Sequence, residues 1–255
     1  VKEGAADGLV SPGHSGATVA CAMFIIGRIP GVERLGLATI LPSEIEGHPT
    51  VMLDVGANID SKPHHLFQFG LMGAALAQTV LGRDEPKGGI ISLGEEEGKG
   101  NTLVKDACDL LKLANNIKFS GNAGGRDIFT GQFDVIVCDG FVGNGALKLS
   151  EGLCSSLRKI LKHALLSTIP AKVGTILASG ALRRFARIVD YAEYGGAPLL
   201  GLKSIALVCH GKSNAKAIAS ATRMATAFVE KETNKYLMSV ISANEELTLY
   251  SKATK

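Results

Sequence analysis

Six short glycine-bearing segments hold most of the residues suited to chemistry: SPGHSGA, DVGANIDSKP, GEEEGKGN, GNAGGRD, CDGFVGN and CHGKSN. Glycine lets the backbone come close to a ligand, and N–H groups left free at the start of a following helix favour an anion. Lys99, Lys148, Lys212 and Arg126 can balance phosphate charge, and Asn58, Asn144 and Asn214 can hydrogen-bond a carbonyl or phosphate oxygen. Asp54, Asp127 and Asp139 can orient those cations or take a proton. Helix capping and turn formation compete for the same carboxylates. The set suits a reaction in which the protein positions an anion without bonding covalently to substrate. GEEEGKGN is the most pointed case, with Lys99 alone between Gly98 and Gly100 behind Glu95, Glu96 and Glu97.

The better-known motifs are absent. GHSGA ends in Ala17 where a nucleophile elbow requires glycine. HGKSN resembles the end of a phosphate-binding P-loop, but Ala206 stands where its first glycine belongs. No GxGxxG opens a helix, which argues against a dinucleotide site. His64 and His65 are adjacent and lack metal-motif spacing, so they read as exposed or capping histidines, and no metal site is expected.

The segments must be carried at the ends of strands. Apolar or β-branched runs precede them: ADGLVSPG, LATILP, PTVMLDVG, GGIISLG, IKFSGN, FDVIVCDG and KSIALVCHG. Several lack alternation, as strands covered on both faces do. TLVKDACDLLKLANN and HLFQFGLMGAALAQTVLG read as the helices between them, the second stopping at Gly82. Strands alternating with helices imply a largely parallel sheet, with ligands bound beyond the strands' carboxyl ends. On that reading the six segments share one rim.

The stretch from Ser150 to Asp190 breaks the rhythm. It reads as two helices meeting near Ile169 and Pro170, a hairpin projecting from the α/β body. Leu153, Leu157, Ile160 and Leu161 stripe the first helix; Leu182, Phe185, Ile188 and Val189 stripe the second. Such stripes need cover from the parent domain, a second subunit or a membrane surface. Residues 1–149 then form the catalytic body, 150–190 the hairpin, and 191–255 a return to the body with a C-terminal helix or tail.

With 255 residues, 46% of them hydrophobic, the chain can bury a substantial core. A net charge of +3 without arginine-rich runs does not suit nucleic acid. Five scattered cysteines form no CxxC pair and suit a reducing compartment, with Cys138 and Cys209 reading as buried thiols. No apolar run is long enough to span a bilayer.

The segments DVGANIDSKPHHLFQFGLMG, ISLGEEEGKGN, GNAGGRDIF, VCDGFVGNGALK and EYGGAPLLG…CHGKSNAKAI together resemble the bacterial phosphate acyltransferases of phospholipid synthesis, the PlsX family. The likeness runs from about Gly4 to about Val229; the tail beyond carries none. It implies an α/β/α fold related to phosphotransacetylases and to isocitrate and isopropylmalate dehydrogenases. It further implies transfer of a fatty acyl group from acyl carrier protein to inorganic phosphate, without organic cofactor. A homodimer, cytoplasmic and touching the inner membrane face peripherally through the hairpin, is implied too. The catalytic expectation falls on Lys99 and Asp139, with Asn144 and Asn58 polarising the carbonyl. Substrate and phosphate contacts are expected from His14, Ser15, Gly16, Asp54, Lys62, Gly98, Asn101, Arg126, Asp127, Gly140, Lys148, His210, Lys212 and Asn214. The bases Arg158, Lys159, Arg183, Arg184 and Arg187 are expected to meet acidic carrier or lipid headgroups. Two departures stand out. Relatives open with further strand–helix units bearing another glycine-rich anion loop, which these 255 residues do not include, whether truncated or absent. They also more often have Asn-Thr where His14-Ser15 stands.

Overall fold

The computed structural model describes residues 1–188 and 195–253. Eight strands form one sheet in the order β1–β8–β7–β2–β3–β6–β4–β5 among the described residues. They are β1 (Gly8–Ser11), β2 (Gly36–Leu41), β3 (Thr50–Leu53), β4 (Lys87–Ile91), β5 (Lys118–Ala123), β6 (Val135–Val137), β7 (Ala197–Leu200) and β8 (Ile205–Val208). The helices are α1 (Ser15–Ile25), α2 (Pro63–Thr79), α3 (Thr102–Leu111), α4 (Gly140–Leu165), α5 (Ile169–Leu177), α6 (Ser179–Ile188), α7 (Ala215–Glu230), α8 (Thr233–Ala243) and α9 (Glu245–Ala253).

Successive side chains on a strand point to opposite faces, so a strand buried on both sides feeds two cores. Val51 and Leu53 of β3, Val135 and Val137 of β6, and Ile205 and Leu207 of β8 join the core beneath α2, α3, α7 and α8. Their neighbours Met52, Ile136, Ala206 and Val208 join the other core, with Ala22 of α1 and Ala146 and Leu147 of α4. The result is a three-layer α/β/α arrangement. Gly70 and Gly73 let α2 lie close on this sheet: a Cβ at either would come within 2.6 Å of Leu111 or Val135. The C-terminal helices α8 and α9 cover α2.

The parallel expectation holds for β3–β6–β4–β5 and for β1–β8, but β2 pairs antiparallel with both β3 and β7, and β7 with β8. This corrects the single shared rim. The carboxyl ends of β3, β6, β4 and β5 emerge at one edge of the sheet, whereas those of β1 and β8 emerge at the opposite edge. SPGHSGA and CHGKSN therefore lie apart from the other four segments. Strand β7 was hidden from a sequence reading because Pro198, which cannot donate to a ladder, sits inside it.

The projecting element also differs from a two-helix hairpin. Its first helix is continuous with the CDGFVGN segment from Gly140, and the second divides at Ala178 into α5 and α6. Val189 and Asp190, at the end of that expectation, lie outside the described residues. In α4 only Gly140 and Gly143 are buried, and α5 and α6 bury no residue. Among the described residues, no helix is long and apolar enough to cross a membrane.

Candidate functional site

The four-loop edge is built around Asp54, which is fully buried at the end of β3. Its carboxylate accepts from the backbone N–H groups of Leu37, Gly56, Ala57 and Asn58 and from Asn58 Nδ2, at 2.8–3.1 Å. Burial pushes this carboxyl above the ordinary aspartate value, against the donors that favour its charged form. Such a group cannot touch phosphate. It ties the loop after β3 to the start of β2, and its role is to hold that loop's shape.

Asn58 is committed as well. Nδ2 donates to Leu35 O at 2.7 Å and to Asp54 Oδ2 at 2.8 Å, which uses both amide hydrogens. The expectation that Asn58 polarises a carbonyl is thereby corrected: with no free donor it is part of the loop's framework. Asn144 is different. It is exposed on the second turn of α4, and a Cβ at Gly56 would sit 3.4 Å from its own Cβ.

The first turn of α4 meets the same loop through glycine. A Cβ at Gly140 would lie 2.2 Å from Asn58 O, and one at Gly143 would lie 1.8 Å from Asp54 O. Only glycine allows this approach, so α4 begins directly against the loop. Asp139 caps it, with Oδ1 accepting from Val142 N at 2.9 Å. Cys138 is buried, its Sγ 3.3 Å from Asp54 O, and desolvation raises its thiol well above the ordinary value.

Beside β6, the loop after β4 carries Lys99. Gly98 and Gly100 take φ of +84° and +106°, conformations in which any other residue is strained. The lysine is exposed, with Nζ 3.9 Å from Glu96 Oε2. Glu97 turns instead to Lys112 at 2.6 Å. Asn101 caps α3 by accepting from Val104 N. Asn122 of β5 braces the loop from below, donating to Glu96 O and Lys99 O. On the next loop Asp127 is buried and accepts from Gly124 N at 2.7 Å, and Arg126 is exposed.

The edge thus brings Asp54, Asn58 and Gly140 into direct contact, with Asn144 beside Gly56 of the same loop. Lys99, Gly98, Asn101, Arg126, Asp127 and Asp139 stand on neighbouring loops of that edge. Helices α2, α3 and α4 all begin there, so the positive ends of three helix dipoles face one side. Lys148 lies one turn beyond Asn144 on α4 and pairs with Glu151 at 2.8 Å.

At the opposite edge, His14 caps α1, accepting from Ala17 N; Gly16 is exposed; and Ser15 opens that helix. Asn214 caps α7, and His210 Nδ1 accepts from Lys212 N. His14, Ser15, Gly16, His210, Lys212 and Asn214 therefore do not join the Lys99 edge. Arg158, Lys159, Arg183 and Arg187 are exposed on α4 and α6, whereas Arg184 holds Glu46 at 2.5 Å.

A polar cluster outside the expected set lies near the start of α2. Glu33 accepts from His64 Nε2 at 2.7 Å and His65 Nε2 at 3.1 Å, and Lys252 of α9 pairs with it. Both histidines are buried, which corrects the exposed alternative; His65 is a cap, its Nδ1 accepting from Lys62 N at 3.0 Å. The ligand atoms lie within 4.8 Å of one another, as a metal site would need. However, the bond from Lys62 N fixes the tautomer and leaves the proton on His65 Nε2. That nitrogen is a donor to Glu33 and has no lone pair for a metal, so the cluster reads as a latch between α2 and α9. Sequence reasoning missed it because Glu33 and Lys252 are remote in the chain.

Residues 1–236 match the family described as fatty acid synthesis protein. The phosphate acyltransferase of Nitratidesulfovibrio vulgaris strain Hildenborough is 65% identical over 255 residues, covering 100% of this chain and 73% of that protein. The phosphate acyltransferase of Lawsonia intracellularis is 61% identical over 251 residues, covering 98% and 72%. Among solved structures, a phosphotransacetylase from Streptococcus pyogenes superposes with a TM-score of 0.59 at 22% identity. That match covers 90% of this chain and 65% of the other, somewhat under two thirds of its length.

Proposed function

Because the chain belongs to the fatty acid synthesis protein family of phosphate acyltransferases, we propose that it transfers a fatty acyl group from acyl carrier protein to inorganic phosphate. A phosphate oxygen attacks the thioester carbonyl carbon. The C–O bond of an acyl phosphate forms, the C–S bond breaks, and the carrier leaves as a thiolate that takes up a proton. The thioester is already activated, so the enzyme's work is to place the anion and stabilise the carbonyl oxygen as it becomes negative.

One observation carries this reading: three helices start at a single edge, α4 pressed on the Asp54 loop through Gly140 and Gly143, with Lys99 on the adjoining strand's loop. That edge favours an oxyanion by helix dipoles and by a cation together. In this reading Lys99 and Arg126 neutralise phosphate, and Asn144 donates to the carbonyl oxygen. Asp54 and Asn58 act as positioning residues. Phosphate near neutral pH is itself nucleophilic, and Asp139 is the carboxylate best placed to assist.

The exposed stripe of the α4–α6 element supports a homodimer contact, with the apolar tip around Ile169, Ile176 and Leu177 against the inner membrane face. Residues 150–190 then form the interaction element and the rest the catalytic body. Arg158, Lys159, Arg183 and Arg187 offer positive charge to carrier or headgroups.

The test is phosphate-dependent loss of thioester, run side by side with acyl-carrier and acyl-coenzyme A donors. Lys99→Ala is expected to lower turnover about 100-fold with the fold intact, the scale of one lost electrostatic group. A near-normal rate removes Lys99 from the mechanism, and exclusive use of coenzyme A donors replaces the carrier by a phosphotransacetylase-like substrate.

A further inference from the structure

The edge that gathers polar groups also displays three large apolar side chains in the open. Ile59 is 76% exposed, Leu93 93% and Phe141 75%. Ile59 and Leu93 lie on the loops after β3 and β4, and Phe141 lies in the first turn of α4 after β6; these strands are consecutive in the order β3–β6–β4. Ile59 directly follows Asn58, and Phe141 directly follows Gly140. Asn58 O lies against the Gly140 backbone, so Ile59 and Phe141 each follow a residue of one contact. In the parallel pairing of β4 with β6, Ile90 stands opposite Val137. Both chains leave the sheet at that edge, Leu93 three residues after Ile90 and Phe141 four residues after Val137.

These residues are not part of the interaction element's stripe. Phe141 and Leu157 are sixteen residues apart on α4, which at about 100° per residue turns them about 160° from each other. A partner covering Leu157 faces the other side of the helix and leaves Phe141 bare.

The occupant follows from the chemistry of the edge. In the phosphate acyltransferase reading, on which this inference rests, the reacting carbonyl sits among Asn144, Lys99 and the start of α4. The acyl chain's first carbon is about 1.5 Å from that carbonyl carbon. The chain must therefore run over whatever surrounds the site. Polar surroundings would oppose it, while exposed apolar side chains gain by being covered.

We propose that Ile59, Leu93 and Phe141 form the seat for the first methylenes of the donor's acyl chain and set the enzyme's preference for long over short chains. The seat holds the apolar part of the substrate, and the adjacent loops hold the anionic part.

The experiment compares calorimetric binding of decyl phosphate and butyl phosphate, non-reacting analogues of the product, to the wild-type protein and to Phe141→Ala, Leu93→Ala and Ile59→Ala. These side chains are exposed, so the variants are expected to fold, and circular dichroism checks that they do. Wild-type protein binds decyl phosphate more tightly. Phe141→Ala and Leu93→Ala each cut the decyl-to-butyl affinity ratio about tenfold, in the range of an apolar pocket contact. Leu113→Ala, an exposed apolar position just beyond α3, leaves the ratio unchanged. Equal binding of both analogues by wild-type protein, or an unaltered ratio in all three seat variants, overturns the proposal. Failure of the transferase reading looks different: wild-type protein then keeps its decyl preference but cleaves no thioester in a phosphate-dependent way.

Discussion

Gly143→Ala would place a methyl group 1.8 Å from Asp54 O and 2.8 Å from Cys138 Sγ, where real contacts essentially never fall below 3.0 Å. The obstacle is backbone, so no rotamer change relieves it, and either the first turns of α4 or the Asp54 loop must move by more than 1 Å. Two effects oppose each other. Alanine in a helix interior is ordinarily about 1 kcal/mol better than glycine. Overpacking costs about 1–3 kcal/mol, and here the higher end applies because the strand end is fully buried. The net is a destabilisation of about 1–2 kcal/mol, or a melting temperature lower by roughly 3–6 °C in a chain of this size. A displacement of about 1 Å between Asn144 and the Asp54 loop should also lower turnover about 100-fold. Gly145 and Gly152 provide the control, because a Cβ at either meets open space on the same helix. Their alanine variants should melt about 2–4 °C higher than wild type. The close docking of α4 is refuted if Gly143→Ala melts at or above wild type with normal turnover.

Acid should act through the α2–α9 latch. His65 is held near a pKa of about 4 by burial and by His64, against an ordinary 6.5, so it is neutral in the fold. The unfolded chain takes up that proton first, and stability is lost as pH falls from about 6.5 towards 4. Burial alone would raise Glu33, but Lys252, His64 and His65 outweigh it and lower the carboxyl to about 2, so a second loss runs from about 4.5 down to 2. Melting curves against pH should show both, and His65→Gln should flatten the first; an unchanged slope refutes the assignment. Charge reversal at Arg183 and Arg187 should weaken sedimentation with anionic vesicles or binding of acidic carrier. If neither changes, those bases have another use.

Apart from β7 and the break between α5 and α6, strand and helix positions were legible because buried two-faced strands are continuous apolar runs and helices repeat at 3.6. Strand direction was not. Nothing within LATILP states that it runs antiparallel to both neighbours, and that fact sends His14 and Lys212 to the far edge. The site was legible as a set of loops but not as a set of roles. Asn101, Asp139, Asn214 and His14 carry side chains equally suited to anion binding and to capping, and all four cap helices here. Asn58 is consumed by Leu35, 23 residues away, a contact visible only after folding. The Glu33 latch depends on a still more distant lysine.

Helix α4 runs unbroken for 26 residues from Gly140 to Leu165, about 39 Å from end to end. Its amino end is clamped by glycine contacts that leave no slack, and its far end stands outside the body. Such a rod behaves as a lever with its fulcrum beside the chemistry. Any torque applied at Leu165, by another protein or by a bilayer, is felt at Asn144 as a change of angle, and anything that seats Asn144 firmly steers the distant end in return.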